Sequence, residues 1–178
     1  MWTYLDGEFI PKEEVRVSPF DRGFLFGDSV YEVIPSYNNK LFLFDEHLER
    51  LRNSLSITKI PIPESLEDLH PLMMELLKKN QFSNQAIYIQ ITRGVDPERS
   101  HVSASTTVPT LFMSSMELEI NPYRENPHKE GLKIKLEDDI RWKRCDVKAT
   151  TLLPNIIPFH REEESDVDEI LFHDGQKI

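Results

Sequence analysis

The densest cationic run in this chain is Arg141-Trp142-Lys143-Arg144-Cys145-Asp146-Val147-Lys148. A lysine that attacks carbonyl groups and holds them as Schiff bases must be partly neutral near pH 7. Burial and neighbouring positive charge both favour the neutral amine. Val147 and the Leu152-Leu153 pair supply apolar surroundings for Lys148, and the arginines supply charge. A solvated basic stretch has the same composition, so the run alone leaves both readings open.

Other residues have chemistry of their own. Arg50 carries a planar guanidinium suited to bidentate contact with an anion. At 100° per residue it lies far from the apolar stripe Leu48, Leu51 and Leu55, so unaided it reads as solvated. Tyr31 alternates with Val30 and Ile34 in a strand-like segment, and Glu32 beside it is most simply half of a salt bridge. Arg99 and His101 stand two apart in a polar loop after Thr92-Arg93-Gly94. On extended backbone two such side chains can converge on one anion. His160 and His173 have no cysteine or carboxylate spacing that makes a metal site, so no metal is expected.

These groups need elements to position them. Trp2 to Leu5 and Glu8 to Ile10 flank Asp6-Gly7 and predict a hairpin. Val30 to Tyr37 and Lys40 to Phe44 flank Asn38-Asn39 and predict a second, with Pro35 marking an edge or a bulge. Asp45 offers an N-cap to a helix carrying the Leu48 stripe. Leu66, Leu69, Leu72, Met73, Leu76 and Leu77 predict another helix, with Ser65 and Asp68 at capping-box spacing and Pro71 expected to bend or interrupt it. Ala86 to Thr92, Thr110 to Met113, the alternation at Leu132, Ile134 and Leu136, and Val167 to His173 read as strands. Pro154 and Pro158 leave room for only a short helix after Lys148, and Glu162 to Glu164 read as a solvated face.

The expected fold class is therefore mixed α/β (α+β). An N-terminal mixed sheet with helices occupies residues 1–119, and a polar linker with Pro122 and Pro127 occupies 120–130. The start of a second, β-rich domain occupies 131–178. The net charge of −10 argues against nucleic acid and anionic membrane as partners. One cysteine, Cys145, forbids an internal disulfide and points to a reducing, cytoplasmic compartment. No apolar stretch approaches the roughly 18 residues a membrane helix requires.

Three blocks, in order, resemble one family. They are Asp21-Arg22-Gly23-Phe24-Leu25-Phe26-Gly27-Asp28-Ser29-Val30-Tyr31-Glu32-Val33, then His47-Leu48-Glu49-Arg50-Leu51, then Asp138 to Lys148 with Leu152-Leu153-Pro154-Asn155 after it. Together they are similar to the fold-type-IV pyridoxal-phosphate enzymes: D-amino-acid aminotransferases, branched-chain aminotransferases and aminodeoxychorismate lyases. The resemblance implies pyridoxal 5'-phosphate as cofactor, with Lys148 as the Schiff-base lysine and Arg50 on the phosphate. In the D-amino-acid enzymes a tyrosine matching Tyr31 helps hold the substrate carboxylate. An Arg-x-His pair matching Arg99 and His101 reaches into the neighbouring subunit's site for the same purpose, which implies a homodimer. Branched-chain and lyase relatives usually lack that pair. The resemblance therefore favours transamination between a D-amino acid and a 2-oxo acid, with branched-chain aminotransferase or lyase as the alternative.

Relatives continue for roughly another hundred residues, through a glutamate that pairs with the pyridinium nitrogen and loops that complete the phosphate cup. Here Asp174-Gly175 reads as a turn whose return strand would begin at Gln176, so the sequence reads as cut off. That leaves two further alternatives: a catalytically inert truncated relative, and one half of a split enzyme completed by a separate C-terminal chain.

Overall fold

The computed structural model describes residues 1–104, 107–119, 131–160 and 167–177. The chain divides into two compact units, Met1–Glu119 with Asp146–Thr150, and Ile120–Cys145 with Thr151–Ile178. The expected linker at 120–130 and the acidic run 162–164 lie outside the described residues.

The first unit is a mixed α/β layer built on a six-stranded sheet. Its strands are β1 (Trp2–Leu5), β2 (Glu8–Pro11), β3 (Ser29–Tyr37), β4 (Lys40–Leu41), β5 (Asn84–Thr92) and β6 (Leu111–Glu117). They lie in the order β2-β1-β6-β5-β3-β4, every pair antiparallel. Asp6-Gly7 and Asn38-Asn39 turn the two hairpins, all four at positive φ, as the short turns predict. The second hairpin is shorter than its sequence suggests, because β4 ends at Leu41. Pro35 stands where that edge runs out. Its carbonyl still accepts the Phe42 N–H at 2.8 Å, and its missing donor costs no ladder bond on the β5 side.

Helices cover one face of the sheet. Helix α1 (Arg22–Phe26) precedes β3, α2 (Phe44–Thr58) follows β4, and α3 (Leu69–Asn80) follows a single 3-10 turn at Glu64–Leu66. Leu51 and Leu55 of α2, with Leu69, Met73, Leu76 and Leu77 of α3, are buried against Val30, Ile34, Ile87, Ile89, Ile91, Leu111 and Met113 of the sheet. The apolar alternation of β3 and β5 and the helical stripes thus converge on one core. Two capping expectations fail. Leu43, in the left-handed region, occupies the N-cap of α2 and makes no side-chain cap bond, which puts Asp45 in the first turn. There its charge still complements the helix dipole. Asp68 precedes α3 but also makes no cap bond. The apolar stripe is interrupted rather than bent: Leu66 lies in the 3-10 turn and α3 starts only at Leu69, so Pro71 falls in the first turn, where its missing N–H would have had no intrahelical partner.

In the second unit, β7 (Ile134–Asp138) and β8 (Glu169–His173) form a two-stranded sheet, and α4 (Leu153–Ile156) continues as a 3-10 turn over Ile157–His160. Asp174 Oδ1 accepts the Gln176 and Lys177 N–H groups at 2.9 and 2.8 Å, which makes the expected turn. β8 finds its partner in β7, and the pairing is parallel rather than a hairpin with a return strand.

Candidate active site

Lys148 sits in a short segment, Asp146–Thr150, that packs with the first unit. The Tyr31 N–H donates to the Lys148 carbonyl at 3.0 Å, and Ala149 bridges Val30 in antiparallel sense. The Thr150 N–H also donates to the Ser29 carbonyl at 3.2 Å, so the segment runs beside the first half of β3, the half that β4 leaves uncovered. The Ala149 N–H closes on the Val147 carbonyl at 2.9 Å, a tight turn with Lys148 at its centre. Val147 is buried and Ala149 packs on the core, so Lys148 turns to the opposite face of the sheet. There its ammonium lies 4.0 Å from the centre of the Tyr31 ring. Among the described residues it has no carboxylate partner. A cation held by a ring face is positioned without being tied up in an ion pair.

The rest of that face is aromatic and polar. Tyr31 stacks on Tyr88, ring centres 5.7 Å apart. The Tyr88 hydroxyl donates to Gln90 Oε1 at 2.8 Å, and burial pushes the Tyr88 phenol up to about 12. Ser29 and Thr150 share a hydrogen bond between hydroxyls that ties the edge segment to the start of β3.

Arg50 is not simply solvated. His47, Arg50 and Ser54 recur at helical spacing on one side of α2 and face β3. Ser54 Oγ accepts the Lys148 N–H at 3.3 Å. Arg50 Nε and Nη2 donate to the two carboxylate oxygens of Glu32 at 2.6 and 2.7 Å, and His47 Nδ1 lies 3.0 Å from Glu32 Oε2. The Glu32 side chain is completely buried, whereas that of Arg50 is half exposed. Burial raises the Glu32 carboxyl, but hydrogen bonds from Arg50 and His47 outweigh it and hold the group below its ordinary range. Arg50 Nη1 has no partner among the described residues. It therefore keeps donors for an external anion while Glu32 fixes the plane of the guanidinium.

This arrangement predicts a sign. Glu32 has a lowered folded-state value, so its ionic contribution is present above the unfolded value of about 4.3 and lost as pH falls through the folded one. In Arg50→Met, burial is opposed by His47 alone, and the ionised carboxylate becomes a cost. The variant should lose about 2 kcal/mol at pH 7, below the usual 3–5 for a broken buried pair because Arg50 is half exposed. The loss should shrink towards pH 4. Urea denaturation at both values reads it; a loss that grows in acid contradicts the assignment.

Arg99 and His101 form a separate cluster. The Arg99 guanidinium lies 5.0 Å from the centre of the Phe26 ring, and the His101 ring 5.8 Å from it. No contact among the described residues joins this pair to Lys148, Tyr31 or Arg50. The sequence-expected residues fall into three places on the first unit: Lys148 on Tyr31, Arg50 on the inward-facing Glu32 and within electrostatic reach of the Tyr31 phenol, and Arg99 with His101 on Phe26. Sequence reasoning did not single out Ser54, His47, Tyr88 or Phe26; the i, i+3, i+7 spacing of His47, Arg50 and Ser54 was the available signal. No group of three His, Cys, Asp or Glu among the described residues could hold a metal ion. No helix among them is long and apolar enough to cross a membrane.

The mixed α/β fold, an antiparallel sheet covered by helices on one face, is shared with solved fold-type-IV enzymes. The T.th. branched-chain amino acid aminotransferase with pyridoxamine 5'-phosphate superimposes with a TM-score of 0.80 at 19% identity, over 97% of this chain and 59% of that one. The 4-amino-4-deoxychorismate lyase from Pseudomonas aeruginosa gives 0.76 at 18% identity, over 97% and 61%. At such identities these likenesses show the fold alone. Residues 29–178 match the family described as Amino-transferase class IV, and the chain belongs to that family. It is 37% identical to a D-alanine aminotransferase of Staphylococcus haemolyticus over 99% of its length, and 33% identical to one of Listeria monocytogenes serotype 4b (strain F2365) over all of it. In both cases it spans 61% of the relative's length.

Proposed function

We propose that this chain carries the lysine-bearing part of a pyridoxal-phosphate-dependent aminotransferase acting on D-amino acids and 2-oxo acids. The observation that supports it most is Lys148, laid on the Tyr31 ring beside β3 and free of any carboxylate among the described residues. The residues present fit the cofactor: a free amine at Lys148 for its carbonyl carbon, and the open Nη1 of Arg50 for its phosphate. When bound, pyridoxal phosphate supplies an electron sink that stabilises negative charge at the substrate Cα. Lys148 Nζ would hold the cofactor through its carbonyl carbon and, once the substrate amine displaced it, would be the base that moves the proton at the substrate Cα. Glu32 and His47 fix the Arg50 guanidinium, so its open edge meets an anion without rearrangement. Tyr31 lies against Lys148 and bounds the substrate's side of the site.

Arg99 and His101 take the substrate α-carboxylate. Since they have no described contact with their own Lys148 or Tyr31, this role is read as acting in trans, in a homodimer. The choice of D-amino acids rests on this pair and on the similarity to D-alanine aminotransferases. An assay of D-alanine with 2-oxoglutarate, after loading with pyridoxal phosphate, tests the function. Amino transfer from D-alanine and none from L-leucine is the expected result; the reverse would sink the substrate assignment. Arg99→Gln should raise the KM for D-alanine about tenfold or more, for one lost charge-assisted contact of ~1.5–3 kcal/mol, and should affect kcat less. Light scattering checks the dimer.

A further inference from the structure

The Arg99–His101 loop is held from beneath by one residue. Arg22, the first residue of α1, is 4% exposed. Its guanidinium lies 4.7 Å from the centre of the Phe26 ring, the same ring that carries Arg99 and His101. Its Nη1 donates to the Ser100 carbonyl at 2.7 Å and its Nη2 to the His101 carbonyl at 3.2 Å. The charge is met by Asp28, 2.9 Å from Nε, and by Asp96, 3.4 Å from Nη1. Asp96 also accepts the Ala104 N–H at 3.1 Å, so both ends of the loop are gathered on the one cation.

We infer that Arg22 is the positioning residue that sets the Arg99–His101 loop for carboxylate capture, and this rests on the reading of that pair given above. Arg22 does not touch substrate. Its fork fixes two successive carbonyls, Ser100 and His101, which determines where the flanking side chains emerge. Through Asp28 the same side chain is tied to the residue before β3, the strand that carries Tyr31. A lysine retains the charge but cannot donate to both carbonyls and both carboxylates in one plane.

The test compares Arg22→Lys and Arg22→Met with the parent chain by hydrogen exchange at the Ser100, Val102 and Ala104 amides. It also follows the His101 ring resonances during titration with acetate as the carboxylate probe. Arg22→Lys should speed exchange at those three amides about tenfold while core amides of β5 stay protected. It should also weaken the acetate-induced His101 shift as much as Arg99→Gln does, and combining the two substitutions should add little further loss. A folded Arg22→Lys or Arg22→Met chain that exchanges there as slowly as the parent overturns the inference, as do fully additive acetate effects. Acetate response unchanged in Arg99→Gln instead overturns the carboxylate reading, and the exchange data still decide whether Arg22 pins the loop.

Discussion

Replacing Lys148 with alanine should abolish transamination and leave the fold intact. The half-buried side chain lies on the ring of Tyr31 and has no ion-pair partner among the described residues. Removing it opens no cavity among Val147, Ala149 and Val30. The backbone bonds that hold the segment, Tyr31 N–H to the Lys148 carbonyl and Lys148 N–H to Ser54 Oγ, survive in alanine. Stability should therefore change by less than about 1 kcal/mol. Activity should fall by about 10²–10⁴-fold from the lost proton transfer alone, and further from the lost attachment. Lys148→Arg keeps the positive charge and the contact with Tyr31 but has no neutral amine to offer, and should be as inactive. A Lys148→Ala chain retaining a tenth of the parent rate would move the chemistry to another residue.

The second large effect is on the backbone. Gly94 follows β5 with φ +95°, and a Cβ built on it would lie 1.8 Å from the Val108 carbonyl oxygen. No side-chain rotation relieves an overlap with backbone. Gly94→Ala must both adopt a disfavoured φ and push apart the segments leading from β5 and into β6. The expected cost is about 3 kcal/mol or more, read as a lower urea midpoint with little change in slope. The Gly94 carbonyl also accepts the Arg22 N–H at 2.9 Å. The substitution should thus disturb the Arg99–His101 loop as well, and surviving folded protein should show a raised KM. A variant as stable as the parent would mean that Val108 does not approach Gly94.

Much of this architecture was legible in the sequence. The hairpins at Asp6-Gly7 and Asn38-Asn39, the stripe of α3 and the alternation of β5 follow from patterns that local chemistry enforces. Where the reading failed, tertiary context decided. Pro71 left a bend and an interruption both open, because helix start positions are poorly marked when no side chain caps them. Arg50 looked solvated because the apolar stripe of α2 points elsewhere; only β3, with Glu32 turned inward, shows what lies on that side. Lys148 reads as one lysine among several until the backbone bond from Tyr31 brings its segment beside β3 and its ammonium onto the Tyr31 ring. The buried Arg22 lay inside a block already noted for its resemblance, yet no periodicity reveals that its partners are the carbonyls of residues 100 and 101. The link between Arg22 and that loop spans nearly eighty residues of chain and exists only in the fold.

Chemical trapping reads the cofactor anchor directly: load the chain with pyridoxal phosphate, reduce with borohydride, digest, and locate the added mass by peptide mass spectrometry. Modification is expected on the peptide containing Lys148, lost in Lys148→Ala and unaffected by Lys143→Ala. Modification on Lys143 or another lysine, with Lys148 left unlabelled, would contradict the assignment.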